Sequence, residues 1–244
     1  MPVLPSPYQL KKALLYPYTA YRRQQEKLEP GFLRSALEAH YYRPAFYHWL
    51  GAVSINPDLL HEADLTPGST VLDVGAYFGE WAEEILQRYD TRVLAFEPDP
   101  VNFQRLRDKA AEQPAISAFE YGLGHRDETA KMSLEFLGSS IYKTPGDNPA
   151  RFAEVEIRDI CKVWEDLGLD RVELMKINIE GGEFPLLERM IEQGMMDRVD
   201  TFLIQFHEWH PGAYHRRRAI QRALRNTHRV VWDHHFIWEK WERL

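Results

Sequence analysis

The chain has 244 residues, a formal net charge of −7 and a single cysteine, Cys161. With 44% hydrophobic and 27% charged residues, it is composed like a folded globular protein, which excludes wholesale disorder and fibrous architectures. One cysteine cannot close a disulfide within the chain, so a disulfide-stabilised secreted scaffold is also excluded. The acidic balance argues against a protein that coats nucleic acid.

The sequence lacks the usual signs of export or membrane insertion. Lys11 and Lys12 follow the apolar start of the chain rather than precede it, which is the reverse of a signal peptide. No run of residues approaches the roughly 20 apolar side chains that span a membrane. We therefore expect a soluble, cytoplasmic protein without a membrane span.

Residues 1–66 differ in composition from the rest of the chain. They hold 7 basic and 6 acidic side chains, so the acidic excess belongs to residues 67–244. Seven of the twelve tyrosines fall in the first fifty residues: Tyr8, Tyr16, Tyr18, Tyr21, Tyr41, Tyr42 and Tyr47. We predict a mostly helical amino-terminal cap over residues 1–66, with a helix over 31–49. Its aromatic side chains either fill a core or cover a sugar ring.

The remainder of the chain alternates between strand and helix patterns. Strands are predicted over 70–74, 92–96, 115–121, 129–137, 153–157, 172–179 and 199–206. Helices are predicted over 80–89, 99–111, 159–167, 183–193 and 213–225, and a hairpin of strands over 229–232 and 236–241. This alternation predicts an α/β fold with a largely parallel sheet, whose ligand lies beyond the carboxyl ends of the strands.

The first predicted strand runs into a glycine loop and then a helix. Asp73 ends the strand, and Gly75, Tyr77 and Gly79 follow it. The Gly-x-x-x-Gly spacing matches neither the dinucleotide pattern nor the P-loop pattern. Asp73 suits a ligand with a positive group, such as the amino group of a bound amino acid. The bland alternative is a tight strand–helix turn that binds nothing.

The second and third strands end in further candidate cofactor residues. Glu97 lies 22 residues after Gly75, a spacing that suits an acid bonded to the two hydroxyls of a ribose, and Pro98 follows it. NAD sites use the same acid, but the glycine spacing favours S-adenosylmethionine. Asp99 is the better candidate for capping the next helix. Tyr121 and Gly122 either meet an adenine ring or form a core-facing strand end.

A second strand–glycine–helix junction occurs later in the chain. Lys176, Asn178 and Glu180 alternate along the predicted strand, which places three polar side chains on one side of it. Burying such groups is costly unless they are paired or face a cleft, so the row indicates a site. The alternative is an internal Lys176–Glu180 pair. Glu183 is explained more simply as an acid in the first turn of a helix.

These segments together resemble the FkbM-type family of S-adenosylmethionine-dependent methyltransferases. The matching segments are LDVGA at 72–76 with Gly79, FEPDP at 96–100 with Asn102, GSS at 138–140 and KINIEGGE at 176–183. The resemblance implies a Rossmann-like sheet of seven strands with the last strand antiparallel. It also implies an O-methyltransferase acting on hydroxyls of sugars, polyketides and related products. The sequence departs from the family at Asn178, where aspartate is usual, and an amide cannot accept a proton at neutral pH.

The predicted chemistry requires a base for a hydroxyl nucleophile. We predict His207, just after the strand over 199–206, as that base, with Glu180 as second choice and Asn178 and Lys176 in the same catalytic group. A divalent metal on Asn178, Glu180, His207 and Glu208 has no support from ligand spacing. The arginine-rich helix, with its basic residues at 215–218, 222 and 225, is either a solvated face or a patch for an anionic acceptor.

We therefore predict a methyltransferase domain over residues 67–244 that methylates a hydroxyl of a saccharide or glycosylated natural product. Its partners are a small-molecule or glycan acceptor, with no nucleic acid. Two alternatives stay open at this point: a non-catalytic binding protein that has kept the fold, and an NAD-dependent oxidoreductase. We expect the acceptor to bind at the amino-terminal cap.

Overall fold

A computed structural model of the chain describes residues 43–133, 141 and 152–244. Contacts divide the chain into two compact units, Met1–Leu59 and Leu60–Leu244. The described part of the first unit contains helix α1, Arg43–Ile55. The start of the helix predicted over 31–49, most of the tyrosine-rich segment and the predicted 138–140 motif lie outside the described residues. The predicted role of the cap therefore stays a prediction.

The second unit alternates between strands and helices, as the sequence predicts. Its strands are β1 Thr70–Val74, β2 Arg92–Phe96, β3 Ile116–Phe119, β4 Gly122–Gly124, β5 Glu128–Ser133, β6 Phe152–Asp159, β7 Val172–Ile177, β8 Val199–Ile204, β9 His228–His234 and β10 Trp238–Arg243. Its α-helices are α2 Glu80–Arg88, α3 Pro100–Glu112, α4 Ile160–Asp166, α5 Glu183–Glu192 and α6 Ala213–Leu224. A short 3₁₀ turn, Met196–Arg198, precedes β8.

The described strands build a seven-stranded sheet in the order β3-β2-β1-β7-β8-β10-β9. Strands β3, β2, β1, β7 and β8 are parallel, whereas β10 is antiparallel to both β8 and β9. The predicted α/β fold class with an antiparallel last strand is thereby confirmed. Because the strand order reverses between β1 and β7, a crevice is expected beyond the carboxyl ends of these two strands.

A second sheet was not predicted. Strand β6 pairs in parallel with β4 and antiparallel with β5, which gives the order β4-β6-β5. The strand predicted over 115–121 corresponds to β3 of the main sheet, whereas β4, which starts just beyond that range, was not predicted. Met132, Val155 and Ile157 form the small core of this second sheet.

The core lies on both faces of the central strands. Val71, Leu72 and Val74 of β1 are buried, as are Met175 and Ile177 of β7. Parallel strands covered by helices on both faces are expected to be continuously apolar. The polar residues at buried positions of β1 and β7 depart from this apolar pattern, and the site described below explains them.

Among the residues that the structure describes, no helix combines the length and apolar character needed to cross a membrane.

Candidate active site at the carboxyl edge of the sheet

The glycine loop after β1 is shaped by the protein itself. Gly75 has a left-handed φ of 81°, and a Cβ built on it would lie 2.0 Å from the backbone oxygen of Asn178. The amides of Gly75 and Ala76 both donate to the carbonyl oxygen of Phe96, each at 3.0 Å. Glycine is required at position 75 because the turn after β7 packs directly against its Cα. Gly75 therefore contacts the ends of both β2 and β7 at the end of β1.

Gly79, the second glycine of the loop, caps α2 with a φ of 78°. A Cβ here would meet Leu106 Cδ1 at 2.7 Å. Between the two glycines, Tyr77 also has a positive φ, 53°, and its ring stacks on Phe78 with centroids 3.6 Å apart. The loop is thus a fixed turn that presents the backbone of Tyr77 toward the end of β2.

Asp73 is fully buried and forms an ion pair with Lys176. Lys176 Nζ donates to Asp73 Oδ1 at 2.8 Å and to the carbonyl oxygen of Gly75 at 2.7 Å. Burial raises the pKa of Asp73, and the neighbouring ammonium opposes that rise. The alternative Lys176–Glu180 pair does not form. Lys176 instead pairs with Asp73 and holds the glycine loop, and its predicted catalytic role stays a prediction.

The second oxygen of Asp73 marks a place for a donor. Among the described residues, Asp73 Oδ2 is buried without a hydrogen-bond partner. An unsatisfied buried oxygen costs about 1–3 kcal/mol, and a donor from a ligand would remove that cost. An ammonium group fits this carboxylate in charge and in hydrogen bonding, as the sequence predicts for the amino group of an amino acid.

Glu97 is a buried carboxylate held at the tip of β2 by two amides. Tyr77 N donates to Oε2 at 2.8 Å, and Asp99 N donates to Oε1 at 2.9 Å. Burial raises the pKa of Glu97 to about 7 despite these two bonds. Each oxygen still has a lone pair, so the carboxylate can accept two further hydrogen bonds, one for each hydroxyl of a ribose.

The helix cap at this junction belongs to Asp99, as predicted. Its side chain accepts from the amides of Val101 at 2.9 Å and Asn102 at 3.3 Å at the start of α3. Because Asp99 caps the helix, the alternative role of Glu97 as that cap is excluded. Glu97 instead connects the glycine loop to the tip of β2, which leaves its oxygens at the sheet edge.

The predicted adenine residues lie beside Glu97 in the fold. A Cβ on Gly122 would meet Ile157 Cδ1 at 2.7 Å and Pro98 Cγ at 3.3 Å, so Pro98 and Gly122 are in contact. The ring of Tyr121 packs 5.7 Å from that of Phe96, and the Arg158 guanidinium lies 5.0 Å from its centroid. Both interpretations of Tyr121, as an adenine contact or as a core-facing strand end, are compatible with this half-buried position.

The polar row after β7 forms a turn rather than an extended strand. Strand β7 ends at Ile177, Asn178 N donates to Val74 O at 3.0 Å, and Glu180 adopts a left-handed φ of 48°. The predicted alternation of Lys176, Asn178 and Glu180 on one face is therefore wrong beyond Ile177. In the described part of the chain, Asn178 Oδ1 is another buried oxygen that lacks a hydrogen-bond partner.

His207 lies between two carboxylates. Its Nε2 is 3.2 Å from Glu180 Oε1, and its Nδ1 is 3.2 Å from Glu183 Oε1. Burial lowers the pKa of His207, but the hydrogen bonds and charges of Glu180 and Glu183 outweigh it and raise the pKa to about 9. His207 is therefore an imidazolium at neutral pH, with both ring nitrogens facing a carboxylate.

Glu183 is the residue of this group that the sequence analysis missed. Its Oε1 accepts from His207 N at 2.8 Å, and its Oε2 accepts from Gly181 N at 2.8 Å. From the sequence alone, Glu183 has only a favourable position in the first turn of a helix. Its separation from His207 by a whole α–β unit left no local signal of the contact.

The family assignment follows from a comparison with family models. Residues 73–241, well over half of the chain, match the model described as the methyltransferase FkbM domain. The chain belongs to the FkbM methyltransferase family. The match begins at Asp73 and includes Glu97, Glu180, Glu183 and His207, so the geometry above lies within the part of the chain that defines this methyltransferase domain.

Solved structures of other methyltransferases share this fold in part. A methyltransferase FkbM from Methylobacillus flagellatus KT matches with a TM-score of 0.44 and 15% identity, over 74% of this chain and 44% of that chain. The METTL16 MTase domain matches with a TM-score of 0.44 and 11% identity, over 79% and 65% of the two chains. An rRNA methylase from Streptococcus thermophilus matches with a TM-score of 0.44 and 11% identity, over 78% and 95%.

This FkbM domain therefore spans less than two thirds of the length of the first two of these structures. No curated protein matches the sequence. The family match identifies a methyltransferase domain.

Side-chain contacts divide the arginine-rich helix into paired and exposed positions. In the arginine-rich helix α6, Arg217 is buried against Glu239 and Asp233, and Arg216 pairs with Glu188. Arg217 is therefore a buried brace and Arg216 pairs nearer the surface, while Arg218, Arg222 and Arg225 are exposed. Among the residues that the structure describes, no group of three or more His, Cys, Asp or Glu side chains is placed to hold a metal ion.

Proposed function

We propose that this methyltransferase uses S-adenosylmethionine to methylate a hydroxyl group of a saccharide or glycosylated natural product. The proposed cofactor is supported by the pair of buried carboxylates at the ends of β1 and β2. Asp73 has an oxygen that needs a donor, and Glu97 is held by two amides with one lone pair left on each oxygen. An amino acid ammonium and a ribose diol are the groups that these two carboxylates fit.

Some of the cofactor residues bind through their charge, and others shape the loop and the border of the cofactor site. Asp73 holds the amino group, Glu97 holds the ribose hydroxyls, and Gly75, Tyr77 and Gly79 form the loop between them. Pro98, Tyr121 and Gly122 border the adenine. When bound, S-adenosylmethionine supplies the methyl group as a sulfonium.

The acceptor side of the proposal centres on Glu180 and His207. Both nitrogens of His207 face carboxylates, whereas the Glu180 side chain is 26% exposed, against 10% for His207. Glu180 is therefore the member of the group that an acceptor hydroxyl reaches first. We assign the hydroxyl proton to Glu180, and His207 holds that carboxylate in place by charge. Methyl transfer then depends on alignment of the hydroxyl oxygen with the methyl group.

The saccharide acceptor rests on the family resemblance and on the tyrosine-rich composition of residues 1–66. Asn178 supports the alternative of a non-catalytic binding protein, since an amide replaces the family's usual aspartate beside the glycine loop. The NAD alternative is disfavoured by the glycine spacing.

The first experiment tests the cofactor. Calorimetry should show binding of S-adenosylmethionine to the wild type, and Glu97→Ala should weaken it at least tenfold, because two charge-assisted hydrogen bonds are lost. Glu112→Ala, an exposed acid at the end of α3, is the matched control and should bind like the wild type. Equal binding by both variants would show that the ribose site is misplaced.

The second experiment tests the reaction. The full chain is incubated with isotopically labelled S-adenosylmethionine and a panel of glycans, glycosylated natural products and RNA, and labelled products are identified by mass spectrometry. Label on a carbohydrate hydroxyl supports the proposal, and label on RNA alone overturns the acceptor class. Cofactor binding without any transfer favours the binding-protein alternative. Glu180→Gln should reduce turnover by about 100-fold and leave cofactor affinity unchanged.

A further inference from the structure

Glu183 connects the turn after β7 to the segment after β8. Its carboxylate is fully buried at the first residue of α5. One oxygen accepts from the backbone amide and faces the ring of His207, at 2.8 and 3.2 Å, and the other accepts from the amide of Gly181 at 2.8 Å. A single side chain thus connects the turn at Gly181 to His207, which lies 24 residues after Glu183.

The contact with Gly181 bears directly on Glu180. Glu180 and Gly181 both have positive φ values, 48° and 100°, and a non-glycine residue in this region is strained by about 1–2 kcal/mol. A strained backbone persists only where its surroundings hold it. The bond from Gly181 N to Glu183 supports that turn, and the turn fixes where the Glu180 carboxylate lies.

The contact with His207 completes a chain of three groups. His207 Nδ1 faces Glu183, and its Nε2 faces Glu180, so the imidazole is held by a buried carboxylate on one side and a partly exposed one on the other. Other ionisable groups nearby belong to the next turn: His210 beside Pro211 O, and Arg216 paired with Glu188. The described groups bonded to the imidazole ring are thus Glu180 and Glu183.

We propose that Glu183 is a positioning residue for methyl transfer, which keeps His207 charged and oriented so that Glu180 faces the acceptor hydroxyl. This inference rests on the proposed role of Glu180 as the proton acceptor. Glu183 does not touch the substrate. It acts through His207 on one side and through the Gly181 turn on the other, and both effects converge on the same Glu180 carboxylate.

The test compares Glu183→Gln with Glu188→Gln, an acid on the same helix that pairs with Arg216 at the surface. NMR titration of the His207 ring is the first readout. The wild type should titrate near 9, Glu188→Gln should titrate likewise, and Glu183→Gln should titrate clearly lower, toward the ordinary 6.5. The cofactor affinity of all three proteins should be the same.

Turnover is the second readout. Glu183→Gln should lower kcat by about 10- to 100-fold at pH 8, since a supporting group of this kind typically contributes that much. The loss should shrink at pH 6, where His207 is protonated with or without Glu183. A purely structural role would instead give a loss that does not change with pH, together with an unshifted His207 titration, and that result overturns the proposal.

A double variant distinguishes loss of the His207 contact from a general folding defect. If Glu183 acts through His207, Glu183→Gln combined with His207→Gln should lose little more activity than His207→Gln alone. Fully additive losses contradict the proposal. Failure of the proposed function is recognised separately, because the wild type would then methylate nothing in the panel, while the NMR titration still decides whether Glu183 controls His207.

Discussion

Lys176 and Asp73 are register partners on adjacent parallel strands, and their side chains form an ion pair of 2.8 Å inside the sheet. The pair lies where the strand order reverses, between β1 and β7. Lys176 also donates to the carbonyl oxygen of Gly75, so one ammonium holds both the acid and the loop that follows it. Burying two paired charges costs free energy. Removing one of them costs more, because the other charge then stays buried without a partner.

Replacing Lys176 with methionine should therefore destabilise the protein strongly. The variant leaves the fully buried Asp73 carboxylate without its cation, and the expected loss in free energy of unfolding is about 3–5 kcal/mol. Urea denaturation at pH 7.5 measures it. Lys162→Met, which removes an exposed lysine paired with Asp127, is the control and should cost less than about 1 kcal/mol. Adding Asp73→Asn to Lys176→Met should recover part of the loss, and no recovery would argue against an uncompensated charge as the cause.

The glycine at position 75 provides a test of the loop geometry. Gly75→Ala would place a methyl group 2.0 Å from the backbone oxygen of Asn178, which cannot move aside as the end of a flexible side chain could. The expected cost is more than about 3 kcal/mol. Gly68→Ala is a matched control because Gly68 has a similar φ, 86°, and open space around its Cβ position. It should cost only about 1–2 kcal/mol for backbone strain. Thermal unfolding of the two variants separates the clash from the strain, and equal losses would contradict the close approach.

Much of this fold could be predicted from the sequence, because the parallel strands of the main sheet are short, mainly apolar runs that are followed by glycine or a polar residue. The order of strands and helices in the second unit follows from that alternation. The small sheet could not be predicted, because the partner of β4 is β6, more than twenty residues away, and nothing local in Gly122–Gly124 indicates a partner. The break between β3 and β4 depends on that distant pairing.

The candidate site could also be predicted only in part from the sequence. Asp73 and Glu97 could be placed because each ends a parallel strand, and such ends meet at one edge of the sheet. The partner of Lys176 could not be found, since a contact across two strands depends on strand order and register. The contact of Glu183 with His207 likewise joins the start of α5 to the segment after β8, which are far apart in the sequence.

The cofactor affinity should depend on pH through Glu97. Burial raises the pKa of this carboxyl to about 7, and only the ionised form accepts hydrogen bonds from both ribose hydroxyls without a competing proton. Binding of S-adenosylhomocysteine, a stable probe, should tighten by about tenfold between pH 6 and pH 8 and then level off. Calorimetry across this range measures it. In Glu97→Gln the affinity should be weaker and should not follow this titration, and an unchanged pH profile in the variant would assign the effect to another group.

The charge on His207 should also stabilise the fold, with a defined pH range. The pKa of His207 is raised from 6.5 to about 9 because the bonds to Glu180 and Glu183 outweigh burial. A raised folded pKa means that the native state holds the proton more tightly than the unfolded state does. The stabilisation is therefore fully present below pH 6.5 and is lost progressively as the pH rises toward 9. A difference of this size is worth on the order of 3 kcal/mol.

The measurement compares the free energy of unfolding of the wild type and His207→Gln from pH 6 to pH 9.5. Subtracting the two curves removes the contributions of other titrating groups, and the difference should fall with rising pH. His215→Gln, at an exposed histidine of α6, is the control and should run parallel to the wild type across the range. A difference between wild type and His207→Gln that stays constant with pH would mean that the ring is held by packing alone, because a neutral imidazole between Glu180 and Glu183 contributes no proton-linked stability.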